Sequence, residues 1–385
     1  MSNTFLDVHI IQTLPPSNLN RDDTGSPKSA RFGGVRRARV SSQAWKRATR
    51  THFSSYLPVE DIGVRTRRIK GLLIEKLLNR YPEYETEIPR IVSAVVLVLL
   101  KQESKKNKKS DSVRAEKDED KNSQYLLFVG NRQIDNIVKT LGDNFSSLIE
   151  LKDKELFDFI KQIGISDLFQ STPSFDIALF GRMVADVPSY NIDASCQVAH
   201  ALSTHGVEAE FDYFTAVDDL LGANETGAGM IGTIEFNSAT FYRYASLDIN
   251  QLFKTLDNSS SIVTATIAFL ESFIKSVPTG YQNSFAHQTL PELILVAIRE
   301  DQPINLIGAF EKPVVANEKS ISTISSEKLI EHFKAINKMY SSDPVASIAA
   351  YLPSIELEGF TPVTVPDLVS KVEGCIANRI SNDHK

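Results

Sequence analysis

Apolar and polar residues alternate at period two near the start of the chain, and an apolar run of strand length stands far along it, which asks for a sheet built from sequence-distant strands. Leu6, Val8 and Ile10 alternate with Asp7 and His9, which predicts a strand with one buried and one polar face. A second strand is read in LPELILVAIRE, residues 290–300. Between them helical spacing dominates: Ile69, Leu72, Leu73 and Leu77 share a face, another apolar helix starts at Ile88, and a helix is expected from Ser260 to Lys275, with a further one after the second strand near Ser326 to Tyr340. Distant strands with helices between them give α+β as the fold class. At 385 residues, 42% hydrophobic and 23% charged, the chain can bury a large core, as one domain with insertions or as two to three.

The charge is unevenly distributed. The formal net charge is -6, yet residues 24–59 contain no Asp or Glu and carry Lys28, Arg31, Arg36, Arg37, Arg39, Lys46, Arg47 and Arg50. An acidic chain that gathers its cations in one short segment presents a local field to a polyanion. The segment also has a readable local structure. A turn-rich loop from Pro15 to Gly34 leads into a strand from Val35 to Ser41, which puts Arg37, Arg39 and Ser41 on one face and Ala38 and Val40 on the other. Ser41 or Ser42 then caps a helix with Trp45, Ala48, Thr49, Phe53 and Tyr56 as its apolar stripe, and Gln43, Lys46, Arg47 and Arg50 fall largely off that stripe. A capped helix start ringed by cations can hold a phosphate with backbone N–H groups, hydroxyls and long side chains. The plainer alternative is a solvated basic face of an amphipathic helix.

Further along, residues 101–121 hold eight basic and six acidic residues with almost nothing apolar, which predicts a mobile loop inserted in a helical subdomain. The run STPSFDIALFGRMVAD, residues 171–186, reads as a strand, and AHALSTHGVEAEFDYFTAVDDL, residues 199–220, lies in a long excursion without sustained period. Gly227, Gly229 and Gly232 spell G-x-G-x-x-G, but the following stretch Ile234, Phe236, Thr240, Tyr242 and Tyr244 has strand spacing, so a dinucleotide fingerprint is rejected in favour of a flexible loop feeding a core strand. The tail after Ile380 is expected to fray.

Some residues also suit other chemistries. Asp22 with Asp23, or Asp218 with Asp219, offers carboxylates for a divalent metal, and Cys196, His200 and His205 offer part of a zinc site. Adjacent carboxylates on a strand point apart, a fourth zinc ligand is not evident, and Asn20 and Asp23 suit turn-ordering bonds, so no metal or other cofactor is expected. No nucleophile with a base and no P-loop is found. A stand-alone metal-dependent ribonuclease is the alternative to a binding protein. Two cysteines give no disulfide framework, and neither a signal peptide nor an apolar run long enough for a bilayer is read, so the expectation is a cytoplasmic protein without a membrane partner.

Four blocks in order, LNRDDTGSPKSARFGGVRRARVSSQAWKRATR, DIALFGRMVAD, AHALSTHGVEAEFDYFTAVDDL and GAGMIGTIEFNSATFYRYA, resemble the CasC family, the repeated backbone subunit of the type I-E CRISPR Cascade surveillance complex. The resemblance implies an RRM-like (ferredoxin-like) palm with inserted helical fingers and an extended thumb. It divides the chain into palm at 1–59, fingers at 60–170, a palm strand at 171–183, thumb at 184–226 and the rest of the palm at 227–385. It further implies a non-catalytic subunit that stacks with copies of itself along the guide RNA spacer, displaces nucleotides at regular intervals with its thumb, and presents the rest to target DNA beside other Cascade subunits. RNA contacts would fall on Arg21, Lys28, Ser41, Gln43, Lys46, Arg47 and Arg50, joined by Arg37 and Arg39 from the strand reading. Met183, Phe214, Thr215 and Val217 would frame the displaced nucleotide, Met183 and Phe214 otherwise reading as core residues. Lys152, Lys154 and Lys161 would meet target DNA.

Overall fold

The computed structural model describes residues 3–100, 126–185, 187–216 and 230–382. The charged loop 101–121 and Val217 lie outside the described residues. Two compact units emerge, one from Met1–Phe53, Cys196–Asn250 and Ile262–Lys385, the other from Ser54–Ser195 with Gln251–Ser261.

The first unit is built on an antiparallel sheet. Its strands are β1 (Phe5–Ser17), β2 (Ser29–Phe32), β3 (Val35–Val40), β6 (Cys196–Val198), β7 (Ala201–Ser203), β8 (Glu210–Ala216), β9 (Met230–Asp248), β10 (Leu293–Arg299) and β11 (Ala346–Tyr351), while β4 (Gly63–Thr66) and β5 (Leu127–Gly130) pair separately in the second unit. The order runs β11-β10-β1-β9-β7-β3-β2, with β6 and β8 also on β9. Because β1 is antiparallel to both β9 and β10, those two strands run parallel to one another, and the crossover between them carries the helix Ser259–Lys275.

Both faces of this sheet are covered. On one, Tyr242 and Tyr244 of β9 join Ile11, Leu295, Phe310, Leu329 and Phe333, the last two from the helix Ile321–Tyr340. On the other, Phe241 and Ala239 pack with Trp45, Val40, Leu14 and Val277. The polar face expected on β1 is therefore not solvated: Asp7 and His9 are 0% exposed. Polar groups buried so deeply need partners. Tyr244 donates its hydroxyl hydrogen to Asp7 Oδ1 at 2.8 Å, the Ile304 amide donates to Asp7 Oδ2 at 2.9 Å, and Arg299 Nε lies 3.4 Å from the same carboxylate. His9 Nδ1 meets the Tyr242 hydroxyl at 2.9 Å.

The second unit is mainly helical. Helices Ile69–Arg80, Ile88–Leu99, Asn131–Asp143 and Asp153–Gln162 close over a core that includes Leu73, Leu77, Ile91, Val95, Ile134, Ile137 and Ile160. The run 171–186, read as a strand, contains the helix Phe175–Phe180 instead. Asp176, Ile177, Ala178 and Leu179 are all 0% exposed, so a short segment buried on every side shows no period, and alternation misleads. The helix is fixed at its start by Asp176 Oδ1, which accepts from the Ser174 hydroxyl at 2.6 Å and from the Gly63 amide at 2.8 Å.

Two more readings change. The excursion after Met183 contains β6, β7 and β8, and the strands β6 and β7 are too short to display a period. The last helix runs Val365–Asn382, two residues past the point where fraying is expected, and residues 383–385 lie outside the described residues.

Candidate nucleic-acid interface

The acid-free segment folds into the strand β3 and the helix α1 (Ser42–His52), joined by one capping serine. Ser41 Oγ accepts from the Ala44 amide at 3.3 Å, and the Ser41 amide itself donates to Asn20 Oδ1 at 2.9 Å. Asn20 thus ties the helix start to the preceding turn. At 100° per residue, Gln43, Lys46, Arg47 and Arg50 span an arc of about 100° that faces away from buried Trp45 and Thr49. Gln43 and Arg47 are exposed, Lys46 and Arg50 half-buried, and no acidic residue stands in the first turn. A helix N-terminus with this surround favours negative charge in a ligand.

Lys28 and Arg39 extend the cationic surface along the sheet edge. The Arg39 amide donates to the Lys28 carbonyl at 2.9 Å, and its Nε donates to the Ser29 carbonyl at 3.3 Å. Its Nη1 lies 3.1 Å from His200 Nδ1. A guanidinium only donates, so His200 accepts at Nδ1 and is neutral in this geometry. Burial, then the charges of Arg39 and Lys28, lowers the His200 pKa in the same sense. His200 was not read as a partner of the cations, because nothing local links residue 39 to residue 200.

Arg37 departs from the sequence expectation. It shares β3 with Arg39 but is 0% exposed. Its guanidinium donates to the carbonyls of Phe32 at 3.1 Å, Ser203 at 2.9 Å, Phe310 at 2.8 Å and Glu311 at 3.3 Å. Burial lowers its pKa. Period-two reading put both arginines on one face correctly, and only the chain near Phe310, remote in sequence, decides that Arg37 is roofed over while Arg39 stays half-exposed. Arg37 is withdrawn from the contact surface and assigned to the scaffold.

The turn before β2 also differs in detail. Asp22, rather than Asp23, orders it: Asp22 Oδ1 accepts from the Thr24 hydroxyl at 2.7 Å, the Thr24 amide at 3.0 Å and the Ser26 amide at 3.0 Å. The Thr24 hydroxyl, above the other bonds, lowers its pKa. Arg21, exposed, holds its guanidinium 4.4 Å from the ring centroid of Tyr281. Tyr281 carried no sequence signal beyond standing in a Thr-Gly-Tyr turn.

The hairpin of β8 and β9 carries the aromatic residues. Phe214 pairs with Gly232, and a Cβ at Gly232 would come within 2.2 Å of the Phe214 ring, so the ring lies across the glycine. This is the physical reason for Gly232, whereas Gly227 and Gly229 lie outside the described residues. Phe214 is 37% exposed, with Phe211 at 69% and Tyr213 at 62%, and Thr215 is also exposed. In the second unit Met183 is 81% exposed, so the core reading fails for it. It follows Arg182, whose guanidinium is buried against Phe169 at 4.6 Å and donates to the Tyr190 carbonyl at 2.8 Å. Lys152, Lys154 and Lys161 are exposed on or beside the helix Asp153–Gln162, among Asp153, Glu155 and Asp158.

The atoms considered for metal binding have other duties. His205 uses both ring nitrogens, Nδ1 to the Gly206 carbonyl at 2.8 Å and Nε2 accepting from the Thr240 amide at 3.1 Å. Cys196 is buried, and burial pushes its thiol up to about 12. Asp218 and Asp219 lie outside the described residues. Among the described residues no group of three or more His, Cys, Asp or Glu is placed to hold a metal ion, and no helix is long and apolar enough to cross a membrane.

The first unit thus combines an antiparallel sheet, a serine-capped basic helix and a hairpin with exposed aromatic residues. A solved chain described as "CRISPR RNA-guided surveillance complex, pre-nicking" is 30% identical, with a TM-score of 0.81 over 97% of this chain and 100% of that one. A second, described as "CRISPR RNA-guided surveillance complex", is 26% identical, with a TM-score of 0.60 over 96% and 99%. The chain belongs to the CT1975-like protein family, which it matches over residues 6–371. No curated protein matches it.

Proposed function

We propose that this chain is a guide-RNA-binding component of a CRISPR surveillance complex of type I-E, working without catalysis in the cytoplasm. The observation that carries the reading is the convergence of Lys28, Arg39, Ser41, Gln43, Lys46, Arg47 and Arg50 around one capped helix, in a chain alike end to end to a surveillance-complex chain. Cations there take phosphates, while Ser41, Gln43 and the helix amides take sugar and phosphate oxygens, so the protein holds backbone shape and leaves sequence to base pairing.

In this reading the first unit is an RRM-like palm. Support comes from the strand order, in which β9 and β10 flank β1 and the short β6 and β7 lie beyond β9. The hairpin with Phe214 and Thr215, and separately Met183, supply surfaces that hold neighbouring bases apart, and their exposure suits that role. Val217 belongs with them by family position. Further copies of the chain stack along the RNA, Lys152, Lys154 and Lys161 meet target DNA, and other complex subunits complete the assembly. The test is the length of end-labelled RNA after incubation with the protein and magnesium. Protection is expected, and cleavage would replace this reading with a metal-dependent ribonuclease.

A further inference from the structure

The segment after the helix Ser259–Lys275 adopts a costly backbone. Tyr281 at φ 51° and Ala286 at φ 46° are left-handed non-glycine residues flanking the single turn Gln282–Phe285. Such conformations cost on the order of 1 kcal/mol or more each and persist only where surroundings impose them. Here the imposition is visible. Gly280 is pressed so closely to the turn at Asn18 and Leu19 that a Cβ would come within 2.4 Å of the Leu19 carbonyl oxygen. His287 Nε2 meets the Pro278 carbonyl at 3.0 Å inside the loop. Asn18 fastens the same turn on its other side, donating from Nδ2 to the carbonyls of Gly25 at 3.0 Å and Glu235 at 2.8 Å.

On this fixed junction sits a row of flat groups. The Arg21 guanidinium lies over Tyr281, Tyr281 meets Phe285 edge-on at 6.3 Å and 87°, and Phe285 meets Phe236 of β9 at 5.7 Å. Arg21 is exposed, and Tyr281 keeps 38% of its surface in solvent despite both contacts. Asp22 next door turns its Oδ1 to Thr24 and Ser26. An exposed guanidinium stacked on an exposed aromatic ring matches the flat face and anionic surround of an unpaired nucleobase. Lys28 follows on the same turn, with its amide bonded to the Asn20 carbonyl at 2.9 Å, which sets a phosphate-binding cation close in the chain.

We infer that Tyr281 forms, with Arg21, a stacking site for one base of the bound RNA; Arg21 already stands among the expected RNA contacts, Tyr281 and the stacking role are new, and the inference rests on the RNA-binding reading. The strained loop is the device that holds the ring in place before RNA arrives, so the site costs little ordering on binding.

The experiment measures binding of the full chain to single-stranded RNA carrying 5-iodouridine. Tyr281→Leu should weaken binding about 5- to 150-fold at unchanged salt slope, and Tyr281→Phe should bind like the parent. Irradiation of the unaltered protein should cross-link RNA to the peptide holding Tyr281, a readout independent of whether a variant folds. No cross-link there, or full affinity in Tyr281→Leu, overturns the inference. A loss confined to multi-copy assembly on long RNA, with binding to short RNA unchanged, also overturns it and makes the ring a protein contact. Lys46→Glu with Arg47→Glu is the control: if that variant loses RNA while Tyr281→Leu does not, only the stacking site falls, and if neither loses RNA, the RNA-binding reading falls as well.

Discussion

Reversing two charges on α1 should separate RNA binding from folding. Lys46 and Arg47 lie on the arc opposite Trp45 and Thr49, so Lys46→Glu with Arg47→Glu leaves the buried stripe untouched. One phosphate contact at about 4 Å in water is worth about 1 kcal/mol, and reversal turns that attraction into equal repulsion, so two sites change by about 4 kcal/mol before screening. At physiological ionic strength the screening length of about 8 Å reduces this to about 2.5 kcal/mol, roughly 60-fold in Kd for one subunit. Filter binding across a salt series is the assay. The double alanine variant should also flatten the plot of log K against log salt by about 1.4, two contacts at about 0.7 each for single strands. Thermal unfolding should shift little, as for other surface changes. A folded double-Glu variant that binds RNA with parental affinity and slope would refute the assignment of this helix face.

Arg37→Met should destabilise the chain by about 2–5 kcal/mol, because the carbonyls of Ser203 and Phe310 lose buried charged donors, while the folded fraction keeps its RNA affinity; Arg39→Met should do the reverse, and urea titration with binding on the same samples distinguishes them. Phe214→Ala should cost about 1–3 kcal/mol of RNA affinity with no change in salt slope, and an unfolded variant whose remaining folded protein binds normally would make Phe214 structural. Burial raises Asp7 from 3.8 to about 6 and lowers His9 from 6.5 to about 3. As pH falls from about 6 to 4, the folded state gains a proton at Asp7, which favours folding, while the unfolded state gains one at His9, which opposes it, so the two nearly cancel. Asp7→Asn removes the first uptake, and its stability should then fall about 1.4 kcal/mol per pH unit more steeply than the parent across that window; parallel stability curves would show that Asp7 does not titrate there.

The elements legible in the sequence were those whose burial is one-sided. α1 could be read because Trp45 and Thr49 face the sheet while Lys46 and Arg47 face out, and its serine cap is a local signal. β10 is the exception, buried along its whole length yet legible because its run is wholly apolar from Leu293 to Ile298. Elsewhere two-sided burial defeats the pattern: alternation suggests a solvated face at Asp7 and His9 and a strand at Phe175–Phe180, and neither is found. Site residues divided along the same line. The density of cations around α1 is a local property, but whether Arg37 or Arg39 reaches solvent is decided by Phe310 and Glu311, and the pairing of Arg21 with Tyr281 by a loop 260 residues away. No local rule carries information over such distances.

The position of β1 also bears on how the chain is made. It leaves the ribosome well before its partners, Asn237–Asp248 and Leu293–Arg299. At about 5–20 residues per second, completing them takes on the order of 15–60 s. For most of that interval Val8, Ile10, Ile11 and Leu14 have neither neighbouring strand, while residues 54–195 can already close their own helical core. Unpaired apolar strands are what chaperones bind and what drives aggregation. Translation speed through the middle of the message therefore sets how long that strand waits, and slow synthesis should lower the soluble yield of this chain more than that of a protein whose first strand pairs with its second.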